Sequence, residues 1–221
     1  MIHNNNTIII TTTLPNNSIS FKRINNLINN FSNCNIPIVL NHGIIRENEK
    51  VEIGIQMIKK SIEIYKKTNY EYTIICEDDF FPIDNFLDEL NKTVELLPEN
   101  WRCLHLCPGY LWGRQFRDSS KIGHLNPEYN MDGIEYHESG RFYTHCKNDI
   151  YYNKKFWLGG PTALLLNKNS AENYLNKFIE EYNNKNEPCD VLFCKILNEN
   201  DYVCREPQLG YENEEGGTTF H

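Results

Sequence analysis

The chain of 221 residues is long enough for one large domain with its own hydrophobic core, and its formal net charge of −8 argues against nucleic-acid binding, which needs a basic surface. Because no apolar run approaches the roughly 20 residues that span a bilayer, we expect no transmembrane segment. The amino terminus has neither a basic region nor a long apolar region, and we therefore expect no signal peptide.

The cysteines indicate a reduced protein rather than one stabilised by disulfides. Cys76, Cys103 and Cys107 lie within apolar, strand-like runs, where cysteine acts as a small buried hydrophobe. The spacings of Cys103 to Cys107 and of Cys189 to Cys194 lack the paired C-x2-C arrangement of a structural zinc site. We therefore expect no zinc and a reducing, cytoplasmic location.

The first half of the chain alternates β-favouring runs with amphipathic ones. Thr7–Thr12 is β-branched throughout, which is typical of a central strand. The clearest helix is predicted between Val51 and Tyr65, where apolar residues recur every three or four positions. The predicted strands are 7–12, 36–40, 72–76 and 103–107, and the predicted helices between them are 21–31, 51–65 and 86–97. This alternation predicts an α/β fold with a mostly parallel central sheet and helices on both faces.

The second half begins with residues 108–156, which show weak periodicity and are rich in glycine, aromatic and charged residues. So long a connection is unusual, and we interpret it as a long inserted loop without regular structure. Its aromatic side chains either stack on a ring-shaped ligand or pack onto the domain. Beyond it we predict a glycine turn that leads into a buried strand within 158–166, a helix over 171–182 capped by Ser170, a short helix over 187–197, a strand at 202–204 and an irregular tail from 207.

Three carboxylates, Glu77, Asp78 and Asp79, directly follow the predicted strand Tyr72–Cys76. Ligands of open α/β sheets bind outside the carboxyl ends of the strands, which is where this triplet is predicted to lie. Adjacent carboxylates repel one another, and a divalent cation with oxygen ligands would relieve that repulsion. The alternative is an acidic turn before a helix that has Asp84 as its N-cap. The triplet therefore predicts either a metal site or an ordinary turn.

Several common phosphate-binding and nucleophile motifs are absent from the sequence. Neither a glycine-rich Rossmann fingerprint nor a P-loop lysine motif follows the first strand, which disfavours dehydrogenases and P-loop NTPases. A phosphatase of the haloacid-dehalogenase type needs an aspartate nucleophile where this chain has Glu77, and no Gly-x-Ser-x-Gly elbow is present. The acidic triplet therefore remains the centre of the predicted chemistry.

Four segments occur in an order and spacing that point to one enzyme family. They are the helix, strand and acidic triplet of Glu47–Pro82, the segment Gly160–Ala171, the triplet Pro188-Cys189-Asp190, and the strand with its following proline in Tyr202–Gln208. Together they resemble glycosyltransferase family 25, which includes lipooligosaccharide galactosyltransferases and collagen hydroxylysine galactosyltransferases. The resemblance leaves the 108–156 loop unmatched, and it implies a GT-A-like (Rossmann-like) fold for a single domain with an inserted, acceptor-side loop.

By this resemblance, the acidic motif binds Mn²⁺ or Mg²⁺, which bridges the diphosphate of a nucleotide sugar, with UDP-galactose or UDP-glucose as the expected donor. Asp79 is the expected principal metal ligand, Glu77 contacts the metal or the ribose, and His221 supplies a further ligand unless the terminus is frayed. A diphosphate beside three carboxylates would be repelled without a hard cation between them. The cation would also stabilise charge on the departing nucleoside diphosphate.

The resemblance also implies an inverting enzyme, in which a base deprotonates the acceptor hydroxyl. Asp190 is the candidate base by its match to the family motif, although a carboxylate at a helix start also serves as an N-cap. Glu138 and Asp149 in the long loop are the remaining candidates.

Further residues are candidates for binding the nucleotide-sugar donor. Gly159 and Gly160 either let the backbone approach the donor sugar or shape a turn. Polar residues at predicted strand ends or just after them either line the nucleoside pocket or serve the fold. These residues are Thr12, Thr13, Arg23 and His42, and Glu77 and Asp78 of the acidic triplet complete the expected donor-binding set.

We therefore expect a metal-dependent glycosyltransferase that moves a hexose to a hydroxyl of a glycan, a lipid-linked or a protein acceptor. Two other interpretations remain open at this point. One is a metal-dependent nucleotide-sugar hydrolase, and the other is a non-catalytic module that binds a nucleotide or a sugar.

Overall fold

The structure is a computed structural model, and it describes residues 1–13, 18–42, 50–107, 135–144, 163–185, 192, 196, 200–204 and 207–212. The strands are β1 (Thr7–Thr13), β2 (Ile38–His42), β3 (Tyr72–Glu77), β4 (Phe80–Pro82), β5 (Cys103–Cys107), β6 (Glu135–Tyr136), β7 (Phe142–Thr144), β8 (Ala163–Asn167), β9 (Asp201–Cys204) and β10 (Gly210–Glu212). The α-helices are α1 (Ser18–Phe31), α2 (Lys50–Lys67), α3 (Phe86–Val94) and α4 (Lys168–Lys185).

Eight of these strands form one sheet in the order β2-β1-β3-β8-β5-β9-β7-β6. β1 pairs in parallel with β2 and with β3, and β5 pairs in parallel with β9. Within the described strands of this sheet, β7 and β8 run against the direction of the others. The predicted α/β fold with a mostly parallel central sheet is confirmed, whereas its assignment to the GT-A-like class stays a prediction.

The position of β8 departs from a simple alternation of strands and helices. β8 lies between β3 and β5 and is antiparallel to both. All five of its residues are buried, and the first four, Ala163 to Leu166, form the continuous apolar run that is typical of a central strand. A continuous apolar run has the same pattern in a parallel strand and in an antiparallel strand. The sequence could therefore predict the strand but not its orientation.

Helices cover both faces of the sheet, as predicted, and each face has its own apolar core. On one face α1 and α3 contribute Leu27 and Leu90 to the same buried cluster. On the other face α2 and α4 contribute Ile62 and Phe178 to a second cluster. The central strands are therefore buried on both sides, which leaves the ends of the strands as the place for polar side chains.

A second, smaller sheet follows the acidic triplet directly. β4 begins at Phe80 and pairs in an antiparallel manner with β10, and the rings of Phe81 and Tyr211 stack with centroids 5.0 Å apart. The prediction of an irregular tail from residue 207 is therefore wrong at β10. Strands of three residues are too short to show a recognisable period in the sequence.

The prediction that residues 108–156 lack regular structure is wrong for residues 135–144. Here β6 and β7 form a hairpin whose turn includes Gly140, with φ of 73°, and β7 adds to the main sheet beside β9. Arg141 next to this turn donates from Nη1 to Glu89 of α3 at 2.9 Å. The rest of the predicted loop lies outside the described residues, and the single-domain organisation stays a prediction.

The starts of two helices differ from prediction. α3 follows Asn85, which occupies the N-cap position with φ of 57°, so the prediction of Asp84 as N-cap is wrong, whereas the choice between a metal site and an acidic turn stays open. α4 begins before Ser170, and Asn167 Oδ1 accepts from Asn169 N–H at 3.2 Å, which is an N-cap contact. Ser170 instead donates to the backbone carbonyl of Trp101.

A buried ion pair lies at the amino ends of β5 and β9. Arg102, immediately before β5, donates from Nε to Asp201 Oδ1 at 3.1 Å, and a second guanidinium nitrogen contacts Oδ2. The Arg102 guanidinium also lies over the ring of Tyr174, 5.5 Å from its centroid. This pair fixes the end of the sheet opposite to the acidic triplet.

Candidate active site at the carboxyl edge of the sheet

The carboxyl ends of β1, β2 and β3 meet at one edge of the sheet. The parallel register places Thr12 opposite Glu77 and Thr13 opposite His42. β8 runs in the other direction, so its first residue, Ala163, pairs with Cys76 at this same edge. The topology therefore brings the strand-end residues singled out in the sequence to one place, as expected for parallel strands.

The three acidic side chains have different exposures. Glu77 is the last residue of β3 and is exposed, whereas Asp78 and Asp79 are 8% and 7% exposed. Two adjacent carboxylates are expensive to bury in their ionised form unless a cation and hydrogen bonds accompany them. We refer to Asp78 and Asp79 as the acidic pair.

Arg23 supplies the cation for the acidic pair. Its Nη1 lies 3.3 Å from Asp78 Oδ1 and 3.2 Å from Asp79 Oδ2, so one nitrogen contacts both carboxylates. The arginine is itself only 6% exposed. Its predicted place in the nucleoside pocket stays a prediction, whereas its contact with the acidic pair was not predicted.

Ser20 is the second partner that α1 provides. Its hydroxyl donates to Asp78 Oδ2 and lies 2.6 Å from the hydroxyl of Thr13, so β1, α1 and the acidic pair are linked. Ser20 and Arg23 are three residues apart and therefore share one face of the helix. That spacing, on the helix that follows the first strand, is the signal in the sequence that could have identified Ser20.

The other polar residues of this edge differ in how they are held. The hydroxyl of Thr12 lies 3.3 Å from that of Ser61 on α2, and both Thr12 and Thr13 are 6% exposed. His42, at the end of β2, is exposed. The two threonines thus tie the strand ends to the helices, and their predicted contact with the donor stays a prediction, as does that of His42.

The pKa of the Asp78 carboxyl is raised above its ordinary value. Burial is the largest cause, because it disfavours the charged carboxylate, while the hydrogen bond from Ser20 and the charge of Arg23 oppose the shift. Burial also raises the pKa of the neighbouring Cys76 thiol. Cys76 is therefore a neutral thiol behind the site and does not act as a thiolate nucleophile.

Aromatic residues support the turn that contains the acidic pair. Phe80 follows Asp79 and packs against Phe31 of α1, with ring centroids 6.1 Å apart. Phe31 also makes an edge contact at 5.3 Å with Phe86, at the start of α3. The helix that provides Arg23 and Ser20 is therefore packed directly against the segment that follows the acidic pair.

Carboxylate oxygens are the ligands that Mn²⁺ and Mg²⁺ prefer, and the charge at this edge suits a divalent cation. Of the four charged side chains Arg23, Glu77, Asp78 and Asp79, three are acidic and one is basic, which leaves a surplus of two negative charges. Among the described residues no group of three or more His, Cys, Asp or Glu side chains is arranged to hold a metal ion. The donor type and charge therefore fit a metal, and further ligands have to come from elsewhere.

Several predicted site residues lie outside the described part of the chain. These are the candidate base Asp190, the metal ligand His221, the two donor-binding glycines Gly159 and Gly160, and the alternative base Asp149. Glu138, the other alternative base, is described, and it is exposed in the β6–β7 turn. Their predicted roles stay predictions.

The sequence matches no protein family profile, and no curated protein matches it in sequence. Among solved structures, the chain is similar to a glycosyltransferase involved in the glycosylation of the major capsid of PBCV-1, with 10% identity, a TM-score of 0.46, and coverage of 81% of this chain and 67% of the other. It is also similar to A197 from STIV, with 12% identity, a TM-score of 0.41, and coverage of 97% and 98%. At these identities and TM-scores neither similarity supports a conclusion about chemistry. None of the described helices has the length and apolar character needed to cross a membrane.

Proposed function

We propose that the chain is a glycosyltransferase that moves a hexose from a nucleotide-diphosphate sugar to an acceptor hydroxyl. The observation that supports this proposal is the position of Glu77, Asp78 and Asp79, which end β3 at the edge where β1 and β2 also end. That edge is where α/β sheets bind nucleotides. The resemblance of the same segment to glycosyltransferase family 25 favours UDP-galactose or UDP-glucose as the donor.

In this proposal Asp79 and Glu77 hold Mn²⁺ or Mg²⁺, with the donor diphosphate and His221 as further ligands. When bound, the cation supplies Lewis-acid stabilisation of the charge that develops on the nucleoside diphosphate. Asp78, one of the expected donor-binding residues, does not face the donor in our proposal, because both oxygens of its carboxylate accept hydrogen bonds within the protein, Oδ2 from Ser20 and Oδ1 from Arg23. Its role is to keep the turn before β4 in place.

The other residues of the edge position the donor. Thr12 and Thr13 are anchored by hydroxyl contacts to α2 and α1, which gives the strand ends a fixed geometry. His42 is exposed at the same edge and is proposed to contact the nucleoside. Gly159 and Gly160 precede β8, whose first residue lies at this edge, and are proposed to allow close approach of the donor sugar.

Transfer with inversion needs a base for the acceptor hydroxyl, and we propose Asp190 for this role. The proposed acceptor is a glycan, a lipid-linked sugar or a protein side chain, bound on the side of the 108–156 segment. The aromatic residues of that segment suit stacking on a sugar ring.

The metal-dependent step of the proposal is tested by calorimetry of UDP binding with and without Mn²⁺. We expect UDP to bind substantially more tightly with Mn²⁺, and Asp79→Ala to remove most of that gain, because the variant lacks the principal ligand. The matched control is Asp84→Ala, which removes an exposed carboxylate five positions away and should leave the gain intact. UDP binding that is indifferent both to Mn²⁺ and to Asp79→Ala would contradict the metal-diphosphate site.

The transfer step is tested by product analysis with UDP-hexoses and a panel of acceptors. We expect a glycosylated acceptor, and we expect Asp190→Asn to abolish transfer while UDP still binds, because the base acts on the acceptor rather than the donor. Release of free hexose with every acceptor would instead indicate a hydrolase. Binding without turnover of any donor would indicate a non-catalytic module.

A further inference from the structure

We infer that Arg23 makes metal binding at this site depend on the donor, so that a divalent cation binds strongly only together with a diphosphate. This inference rests on the proposed function, because it concerns the metal-diphosphate site at Glu77 and Asp79. The proposed function itself assigns no such role to Arg23.

The geometry that supports the inference is the contact of one guanidinium nitrogen with both members of the acidic pair. Arg23 Nη1 lies 3.3 Å from Asp78 and 3.2 Å from Asp79. The guanidinium is always charged in proteins. Asp79, the proposed principal metal ligand, therefore has a fixed positive charge beside it before any metal arrives.

Arg23 is also not placed to move away from the acidic pair. It is 6% exposed, and it lies on the same helical face as Ser20, which donates to Asp78. Removing an arginine from a buried carboxylate leaves an uncompensated buried charge and is strongly unfavourable, so the pair is expected to stay formed when ligands bind. A cation at Asp79 therefore has to bind in the presence of the guanidinium.

Repulsion from this guanidinium weakens the binding of a metal ion alone. In a partly buried site the interaction of a monovalent with a divalent charge is large enough to change affinity by a factor of ten or more. A diphosphate brings negative charge that offsets the repulsion, so metal and donor each strengthen the binding of the other. By linkage the two enhancements are equal.

The first test uses the unaltered protein. The affinity for Mn²⁺ is measured by electron paramagnetic resonance, which counts free Mn²⁺, with UDP absent and with UDP saturating. We expect Mn²⁺ to bind at least about tenfold more tightly with UDP, as the size of the repulsion implies. Equal affinities in the two titrations would overturn the inference.

The second test removes the charge of Arg23. In Arg23→Met we expect Mn²⁺ alone to bind about tenfold or more tightly than to the unaltered protein, and the enhancement by UDP to shrink. In Arg23→Lys we expect behaviour near that of the unaltered protein, because both contacts use a single nitrogen and one ammonium can replace it. An Arg23→Met variant that binds Mn²⁺ alone no more tightly than the unaltered protein would overturn the inference.

Two further variants separate the charge effect from damage to the fold. Arg23→Met/Asp78→Asn removes one charge of each sign, so it avoids an uncompensated buried carboxylate and is expected to bind Mn²⁺ alone with nearly the unaltered affinity. Arg102→Met breaks a buried arginine–aspartate pair at the opposite end of the sheet and is expected to leave Mn²⁺ affinity unchanged. If either variant tightened Mn²⁺ binding as much as Arg23→Met, the charge-based inference would be overturned.

The same titrations distinguish this inference from the proposed function. If UDP binds only with Mn²⁺ but Arg23→Met leaves the Mn²⁺ affinity unchanged, the proposed function stands and the role of Arg23 is wrong. If the unaltered protein binds UDP equally well without Mn²⁺, the metal-diphosphate site itself fails, and the inference fails with it.

Discussion

Gly210 is the residue at which the two-stranded sheet tolerates no side chain. A Cβ at this position would lie 2.7 Å from the carbonyl oxygen of Phe81 and closer still to the ring of Phe80. Phe80 follows Asp79 directly and belongs to the strand that pairs with β10, so we expect a side chain at Gly210 to displace the turn that contains the acidic pair.

We expect Gly210→Ala to destabilise the protein by about 1–3 kcal/mol, because the methyl group forces the Phe80 ring and the β4 backbone to shift. Urea unfolding measures this loss, and calorimetry should show weaker Mn²⁺-dependent UDP binding. Gly140→Ala is the control, since Gly140 has φ of 73° but no atom of the described residues lies within 4 Å of its Cβ position. Its cost should be about 1 kcal/mol with unchanged UDP binding. Equal UDP affinities in the two variants would contradict the proposed link between Gly210 and the site.

At the same scale, the sequence predicted where the acidic side chains lie but not what holds them. The sequence shows three consecutive carboxylates directly after an apolar run. Because that run predicts a strand, it also predicts that the carboxylates lie at the end of β3. The contact of Arg23 with Asp78 spans 55 positions and depends on how α1 packs against the sheet. No local pattern encodes that packing, so Arg23 was assigned from its position in the chain alone.

At the scale of elements, two of the contacts that attach the hairpin of β6 and β7 to the described part of the chain are of different kinds. One is the backbone pairing of β7 with β9, and the other is the ion pair between Arg141 and Glu89 of α3. The pKa of Glu89 is lowered by its hydrogen bonds from Lys92 and Arg141. Glu89 therefore stabilises the fold in its ionised form.

We expect Glu89→Gln to destabilise the protein by about 0.5–1 kcal/mol at neutral pH, as for other partly exposed ion pairs. Because the folded pKa of Glu89 lies below its value in the unfolded chain, the contribution is fully present above the ordinary value of 4.5. It is lost as the pH falls through the folded pKa, so the variant and the unaltered protein should converge in acid. Urea unfolding at neutral and acidic pH measures this.

The control for the hairpin is Glu63→Gln, which removes an exposed carboxylate that pairs with Lys60. Hydrogen exchange of the Phe142–Thr144 amides should increase in Glu89→Gln and stay unchanged in Glu63→Gln. Faster exchange of these amides in both variants would show that the Glu89–Arg141 contact does not anchor the hairpin.

Some helices and strands could be predicted from the sequence and others could not, for physical reasons. β5 was predicted at its observed bounds because its five residues form a mostly apolar run that ends where the glycine-rich and charged segment 108–156 begins. The direction of β8 was not predicted, because a buried apolar run has the same sequence pattern in either orientation. The existence of β4 and β10 was not predicted, because strands of three residues are too short to show an alternation of apolar and polar residues. α3 ends at Val94, before the predicted residue 97, although the apolar spacing continues.

At the scale of the whole molecule, the two cores have different relations to the candidate site. Phe31 belongs to the core that contacts Phe80 and Phe86, next to the acidic pair. Phe178 belongs to the core on the other face of the sheet. Both side chains are almost completely buried.

We expect Phe31→Ala and Phe178→Ala each to destabilise the protein by about 3–5 kcal/mol, because each leaves a cavity in a packed core. Under conditions in which both variants are folded, Phe31→Ala alone should weaken Mn²⁺-dependent UDP binding, since it loosens α1 and the segment after Asp79. Thermal unfolding measures the first effect and calorimetry the second. Equal UDP binding by the two variants would show that the core beside α1 does not support the site.

The insertion of β8 between β3 and β5 has a consequence for the order in which the protein folds. β5 is bonded to β8 and β9, and both follow it in the chain, so neither of these two described partners exists until residue 163 has been synthesised. Among the described strands β3 then has β1 alone beside it, and the edge that β8 later covers is available for pairing with a second chain. Pairings between strands that are far apart in the sequence slow folding. We therefore expect a slow step in refolding, in which β8 pairs with β3 and β5.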